Sequence, residues 1–161
     1  MTDRQTVIGV IGEGDCSGEL YRMAEEVGRL AARGGAAVVC GGLGGVMEAA
    51  CRGARGEGGT TIGILPGTDK ADANPFVTIA LPTGMGEARN ALVVRASDAI
   101  VAVGGKFGTL SEIALALKTG KPIVGLRTWG LMLEGRIFKP FPECSTPAEA
   151  VEVALSLAKS P

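Results

Sequence analysis

The chain contains no histidine. That removes Ser-His-Asp and Cys-His catalysis, and every zinc site built on imidazole. Aromatic residues make up only 4% of the sequence, too few for a platform that stacks nucleic-acid bases. Neither sign of charge dominates: 16 basic and 17 acidic residues leave a net charge of -1. No basic surface is therefore expected to draw the chain to DNA or RNA. No apolar run approaches the ~18 residues of a membrane-spanning helix. The first five residues lead straight into an apolar strand and not into a signal peptide. The expectation is a cytoplasmic protein with neither nucleic acid nor membrane as partner. The four cysteines, Cys16, Cys40, Cys51 and Cys144, form no C-x-x-C pair. No metal site is expected from them, and they read as small buried thiols, with Cys16 set apart in a glycine-flanked loop.

What the sequence has in excess is glycine, 26 residues in 161, against a usual share of about 7%. There is no Gly-X-Y period, and 46% of the chain is hydrophobic against 20% charged. This is the composition of a folded globular protein, and the length suits one domain over residues 1–161 with a single substantial core.

Apolar, β-branched runs at Val7–Ile11, Ala36–Cys40, Thr60–Leu65, Ala99–Val103 and Pro122–Leu126 predict buried strands, with a weaker one at Phe76–Leu81. Helical patterns fill the gaps over Glu19–Arg33, Val46–Arg55, Glu87–Ala96 and Leu110–Thr119. A last helix opens at Thr146-Pro147-Ala148-Glu149, which carries a capping threonine, a first-turn proline and a capping-box glutamate. Residues 127–144 show no clear period, although Trp129 lies there as a candidate to close over a site. Strands alternating with helices imply parallel pairing. The predicted fold is α/β: a single doubly wound Rossmann-like domain, its mostly parallel sheet flanked by helices.

Three glycine clusters share one setting, after a strand and before a helix. They are Gly12 and Gly14; Gly41, Gly42, Gly44 and Gly45, followed by Met47; and Gly104, Gly105, Lys106, Phe107, Gly108 and Thr109. In an open α/β sheet such turns lie at the carboxyl ends of the strands, where ligands bind. Unpaired N–H groups and the helix dipole favour an anion there, and glycine lets the backbone come close. A phosphate-bearing small molecule is the expected ligand. No segment supplies a Walker A loop. The first cluster misses the dinucleotide fingerprint at Ser17, and no acidic residue ends the second strand. In the third cluster Lys106 adds a cation, and Thr109 offers either a phosphate contact or an N-cap completed by Glu112. Arg89, near the start of the preceding helix, could clamp a phosphate with two N–H groups.

These residues resemble the LOG-like superfamily, also labelled lysine decarboxylase-like. The likeness rests on Gly41-Gly42-Leu43-Gly44-Gly45-Val46-Met47-Glu48 and on Arg89-Asn90, Ser97-Asp98-Ala99 and Gly104 to Glu112, without a gap. In the hydrolytic branch the resemblance implies cleavage of the N-glycosidic bond of cytokinin nucleoside 5'-monophosphates. The family's arginine and glutamate map onto Arg89 and Glu112 as catalytic residues, and no cofactor is required. The sequence departs from that branch at Gly104, Lys106 and Asn90, where the family has Pro, Gly and Lys. The run Gly108 to Pro122, with Met47–Ala50 and Ile62–Gly67, is instead similar to the branch of molybdenum cofactor carrier proteins. That branch implies a binding protein for a pterin monophosphate; AMP or another phosphorylated nucleotide is the other ligand the site suggests. Both branches imply a homodimer or homotetramer. The stripe Ala88, Ala91 and Leu92 suits such an interface, although core packing is the reading favoured for it.

Overall fold

The computed structural model describes residues 3–160. A strand next to the centre shows how the sheet is buried. Ala99–Val103 (β5) has all five residues buried, and successive side chains point to opposite faces. Ala99, Val101 and Val103 enter one core cluster, and Ile100 and Ala102 enter another. A strand covered on both faces must read as continuously apolar, which is the pattern seen in the sequence.

The elements follow in the order β1 (Val7–Gly12), α1 (Gly18–Arg33), β2 (Ala37–Cys40), α2 (Val46–Gly56), β3 (Thr61–Leu65) and β4 (Ile79–Pro82). A 3-10 turn at Gly86–Arg89 leads into α3 (Asn90–Ala96) and then β5. After these come α4 (Phe107–Lys118), β6 (Ile123–Leu126), β7 (Leu131–Leu133), β8 (Arg136–Phe138), β9 (Glu143–Cys144) and α5 (Pro147–Ala158). Seven strands form one sheet in the order β4-β3-β2-β1-β5-β6-β9, parallel throughout. The buried apolar residues of α1 and α5 and most of those of α2 share the cluster on one face, while those of α3 and α4 share the cluster on the other; Met47 and Cys51 of α2 pack with Cys40 in a third, smaller one. The doubly wound domain expected from the sequence is the fold observed.

One segment without a sequence reading gains a form, and two expectations are corrected. The segment 127–144 holds an antiparallel hairpin, β7 with β8, and a short edge strand, β9, beside β6. The helix predicted from Glu87 is a 3-10 turn followed by a seven-residue α-helix. The stripe on it does not sit in the core as a unit: Ala88 is exposed and Ala91 and Leu92 are half-buried, while Val93 and Val94 face inward. Among the described residues, no helix is long and apolar enough to cross a membrane.

The strand order places the site. From β1 the chain winds outward through β2, β3 and β4, then returns to lay β5 against the other side of β1. The loops after β1 and β5 diverge at this switch point and leave a crevice at the carboxyl ends of the strands.

Candidate functional site

A cleft of about 380 Å³ occupies that crevice, within the ~300–1,000 Å³ usual for small-molecule sites. Four loops line it. Gly12 ends β1 and Glu13 and Gly14 follow it; Gly41 and Leu43 come from the β2–α2 turn and Met47 from the first turn of α2. Pro66 follows β3, and Gly86, Glu87, Arg89 and Asn90 come from the segment before α3. Lys106, Gly108, Thr109 and Glu112 close the far wall at the start of α4. The structure thus brings together nine of the residues expected from the sequence, drawn from all three glycine clusters. Gly42, Gly44, Gly45, Gly104 and Gly105 stand behind the wall as turn residues. Phe107 points away: it is 79% exposed and packs on Trp129 with ring centroids 5.9 Å apart. Trp129 does not close over the cleft. Its indole N–H donates to the Lys106 carbonyl at 3.1 Å and so buttresses the loop from outside.

Arg89 is the central feature. It is only 8% exposed, not the solvated residue that most arginines are. Its guanidinium lies across Gly41, where an added Cβ would come within 2.1 Å of Nη1, so any larger residue there would push the guanidinium aside. Its buried Nε has no hydrogen-bond partner. A buried donor without an acceptor is costly, commonly by about 1–3 kcal/mol. Such a donor in a concave site is free to bond an acceptor that enters it. Burial pulls the Arg89 pKa down, while the carboxylate of Glu112 and the thiol of Cys40 oppose that fall.

Glu112 rises from α4 into the same cleft and is 7% exposed. Desolvation pushes its carboxyl up to about 7, and Arg89 limits the rise. It is not a capping residue. Helix α4 starts at Phe107 with Lys106 as its N-cap, which places Thr109 inside the first turn and Glu112 in the second. The capping box expected from spacing is therefore absent here. The first backbone bond of α4 runs from Leu110 N–H to the Lys106 carbonyl at 3.0 Å. The amides of Phe107, Gly108 and Thr109 are the orphan donors of this helix start.

Glu13 had no signature in the sequence, because a single acidic residue in a loop has no spacing to test. It lines the cleft, and its carboxylate accepts from Gly105 N–H at 3.2 Å. Cys40 and Cys51 lie behind the cleft floor, buried, with their sulfur atoms 3.5 Å apart as free thiols. The Cys51 pKa is raised by its contact with Cys40 and by burial, so its thiol stays protonated. Cys16 is half-buried, as its loop position suggested. Among the described residues no cluster of three or more metal-ligating side chains occurs.

Fold and site together define a class: a doubly wound parallel α/β domain with a glycine-walled cleft at its switch point into which Arg89 and Glu112 project. Within that class, the chain matches the SLOG cluster4 family over residues 5–154 and belongs to it. An uncharacterized protein of Archaeoglobus fulgidus is 47% identical over 150 residues, 92% of this chain and 94% of that one. The molybdenum cofactor binding protein from the phototrophic bacterium Rippkaea orientalis superposes with a TM-score of 0.87 at 35% identity. That match covers 97% of this chain and 99% of that one. The molybdenum cofactor carrier protein MCP from Chlamydomonas reinhardtii superposes with a TM-score of 0.86 at 35% identity, covering 98% and 100% of the two chains. These likenesses agree with the branch that the sequence motifs resemble.

Proposed function

We propose that this protein binds a phosphorylated pterin of the molybdenum cofactor kind and carries it in the switch-point cleft. The observation that carries this reading is the unpartnered Nε of Arg89, buried in a cleft beside the free amides of α4. Two solved structures similar over nearly the whole chain bear the names of molybdenum cofactor binding and carrier proteins, which supports the same class of ligand.

The residues present fit such a ligand. The N–H groups of Gly108 and Thr109, the Thr109 hydroxyl and Lys106 hold the phosphate at the dipole-positive end of α4. Arg89 offers its unpartnered Nε donor to an oxygen of the ligand, and Gly12, Gly14, Gly41 and Met47 bound the space left for its ring system. Glu112, neutral for part of the time near pH 7, serves as a hydrogen-bond donor beside Arg89. A carrier needs only these contacts and no bond cleavage. The protein works as a homo-oligomer in this reading, with the partly exposed Ala88, Ala91 and Leu92 face as the contact.

The test is to load the purified protein with molybdenum cofactor, remove excess, and measure retained molybdenum and the fluorescent oxidation product of the pterin. Stoichiometric retention that falls at least tenfold in Arg89→Ala is the expected result. Release of ribose 5-phosphate from AMP or a cytokinin monophosphate, lost in Glu112→Gln, would instead establish a hydrolase and sink the carrier reading.

A further inference from the structure

One acidic side chain in the cleft is explained neither by the glycine clusters nor by the Arg89–Glu112 pair. Glu13 is anchored at both ends. Its backbone carbonyl accepts from Val46 N–H, the first amide of α2, at 3.0 Å. Its carboxylate accepts from Gly105 N–H at 3.2 Å and lies 3.9 Å from the ammonium group of Lys106. The residue therefore bridges all three glycine clusters across the switch point and fixes a carboxylate beside the start of α4.

We propose that Glu13 is a specificity-determining residue that admits ligands ending in a phosphomonoester and turns away those that continue into a diphosphate. This rests on the reading of the cleft as a phosphate site. The donors at α4 number enough for one phosphate: the amides of Gly108 and Thr109, the Thr109 hydroxyl and Lys106. A second phosphate extending along the loop toward β1 meets a different surface. The Gly105 amide there is already taken, and the acceptor that takes it is an anion. A phosphate placed there gains no donor and faces a fixed like charge, which is how a site rejects a competitor without losing its own ligand. In chemical terms the site takes a pterin monophosphate in preference to a pterin joined to a nucleoside through a diphosphate.

Calorimetric titration of the full chain with inorganic phosphate and with pyrophosphate tests this. Wild type should bind phosphate at least tenfold more tightly than pyrophosphate. Glu13→Gln keeps an acceptor for Gly105 but removes the charge, and should bring the two affinities to parity or reverse them. Equal affinities in the wild type, binding of neither anion, or an unchanged ratio in the variant would each overturn the proposal. The wild-type ratio stands as a test should the variant fold poorly, and Glu13→Asp, which withdraws the charge without removing it, should give an intermediate ratio. The two readings fail separately. Discrimination between phosphates without molybdenum retention leaves Glu13 in its role and removes the cofactor; retention without discrimination does the reverse.

Discussion

Glu112 carries a measurable consequence of its burial. The folded protein keeps a proton on this carboxyl up to about pH 7, whereas the unfolded chain releases it near the ordinary value of 4.5. Between those values the folded state binds more protons than the unfolded one, so stability falls as pH rises. The gap corresponds to roughly 3 kcal/mol at most, lost once both states are ionised. Urea unfolding at about pH 5 and about pH 8 measures it, and Glu112→Gln should flatten the difference and be the more stable protein at the higher pH. Equal slopes in the two proteins would show that Glu112 is better solvated than its surroundings suggest. Gly41 is a second residue with a clear expectation. Gly41→Ala drives a methyl group into the Arg89 guanidinium. Phosphate affinity should drop about tenfold or more, with a smaller loss of stability of about 1 kcal/mol, because the displaced atoms are the ends of flexible side chains. Much of the site was legible at this scale, since glycines after strands, Arg89 and Glu112 each had a motif to stand in. Glu13 did not, and Thr109 with Glu112 imitated a capping box because three residues separate them in either register.

At the scale of elements, the glycine excess has a use beyond turns. Gly28 lies within α1 and Gly53 within α2, where these two helices cross. An added Cβ at Gly28 would come within 1.9 Å of the Ala50 carbonyl oxygen, and one at Gly53 within 1.9 Å of the Glu25 carbonyl oxygen. Both clashes are with backbone, so the helices themselves would have to part. Gly28→Ala or Gly53→Ala should therefore destabilise by about 1–3 kcal/mol or more, despite the better helix propensity of alanine. Thermal unfolding checks this; neutral substitutions would mean the crossing is looser than its geometry. Strands buried on both faces and helices with one apolar stripe were readable because burial imposes a period. The β7–β8 hairpin was not. Met132, Leu133, Ile137 and Phe138 are all exposed, so no alternation between a wet and a dry face marks those strands. The final helix, by contrast, starts as its sequence indicates, with the Thr146 hydroxyl accepting from Glu149 N–H at 3.2 Å. The Glu149 carboxylate reaches back to Ser145 N–H at 2.9 Å, one residue earlier than the usual capping box.

For the molecule as a whole, the switch point joins parts that are far apart in sequence. The cleft gathers loops that follow β1, β2, β3 and β5, and the loops after β1 and β5 belong to strands paired at the centre of the sheet. A ligand seated there crosslinks both halves of the winding, so it should stabilise the entire fold and not one loop. At a free concentration a hundredfold above Kd, linkage contributes about 2.7 kcal/mol. For a chain of this size each kcal/mol moves the midpoint by about 2–4 °C, which gives a rise in Tm of roughly 5–10 °C. Saturating molybdenum cofactor should produce that rise in a single cooperative transition. Arg89→Ala removes the guanidinium whose Nε lacks a partner, so the unliganded variant should lose little stability, since an unsatisfied buried donor goes with it. Its ligand-induced shift should nevertheless nearly vanish. A variant with a normal shift would place the ligand away from Arg89. A variant that unfolds without ligand would assign the guanidinium to the framework of the switch point and not to recognition.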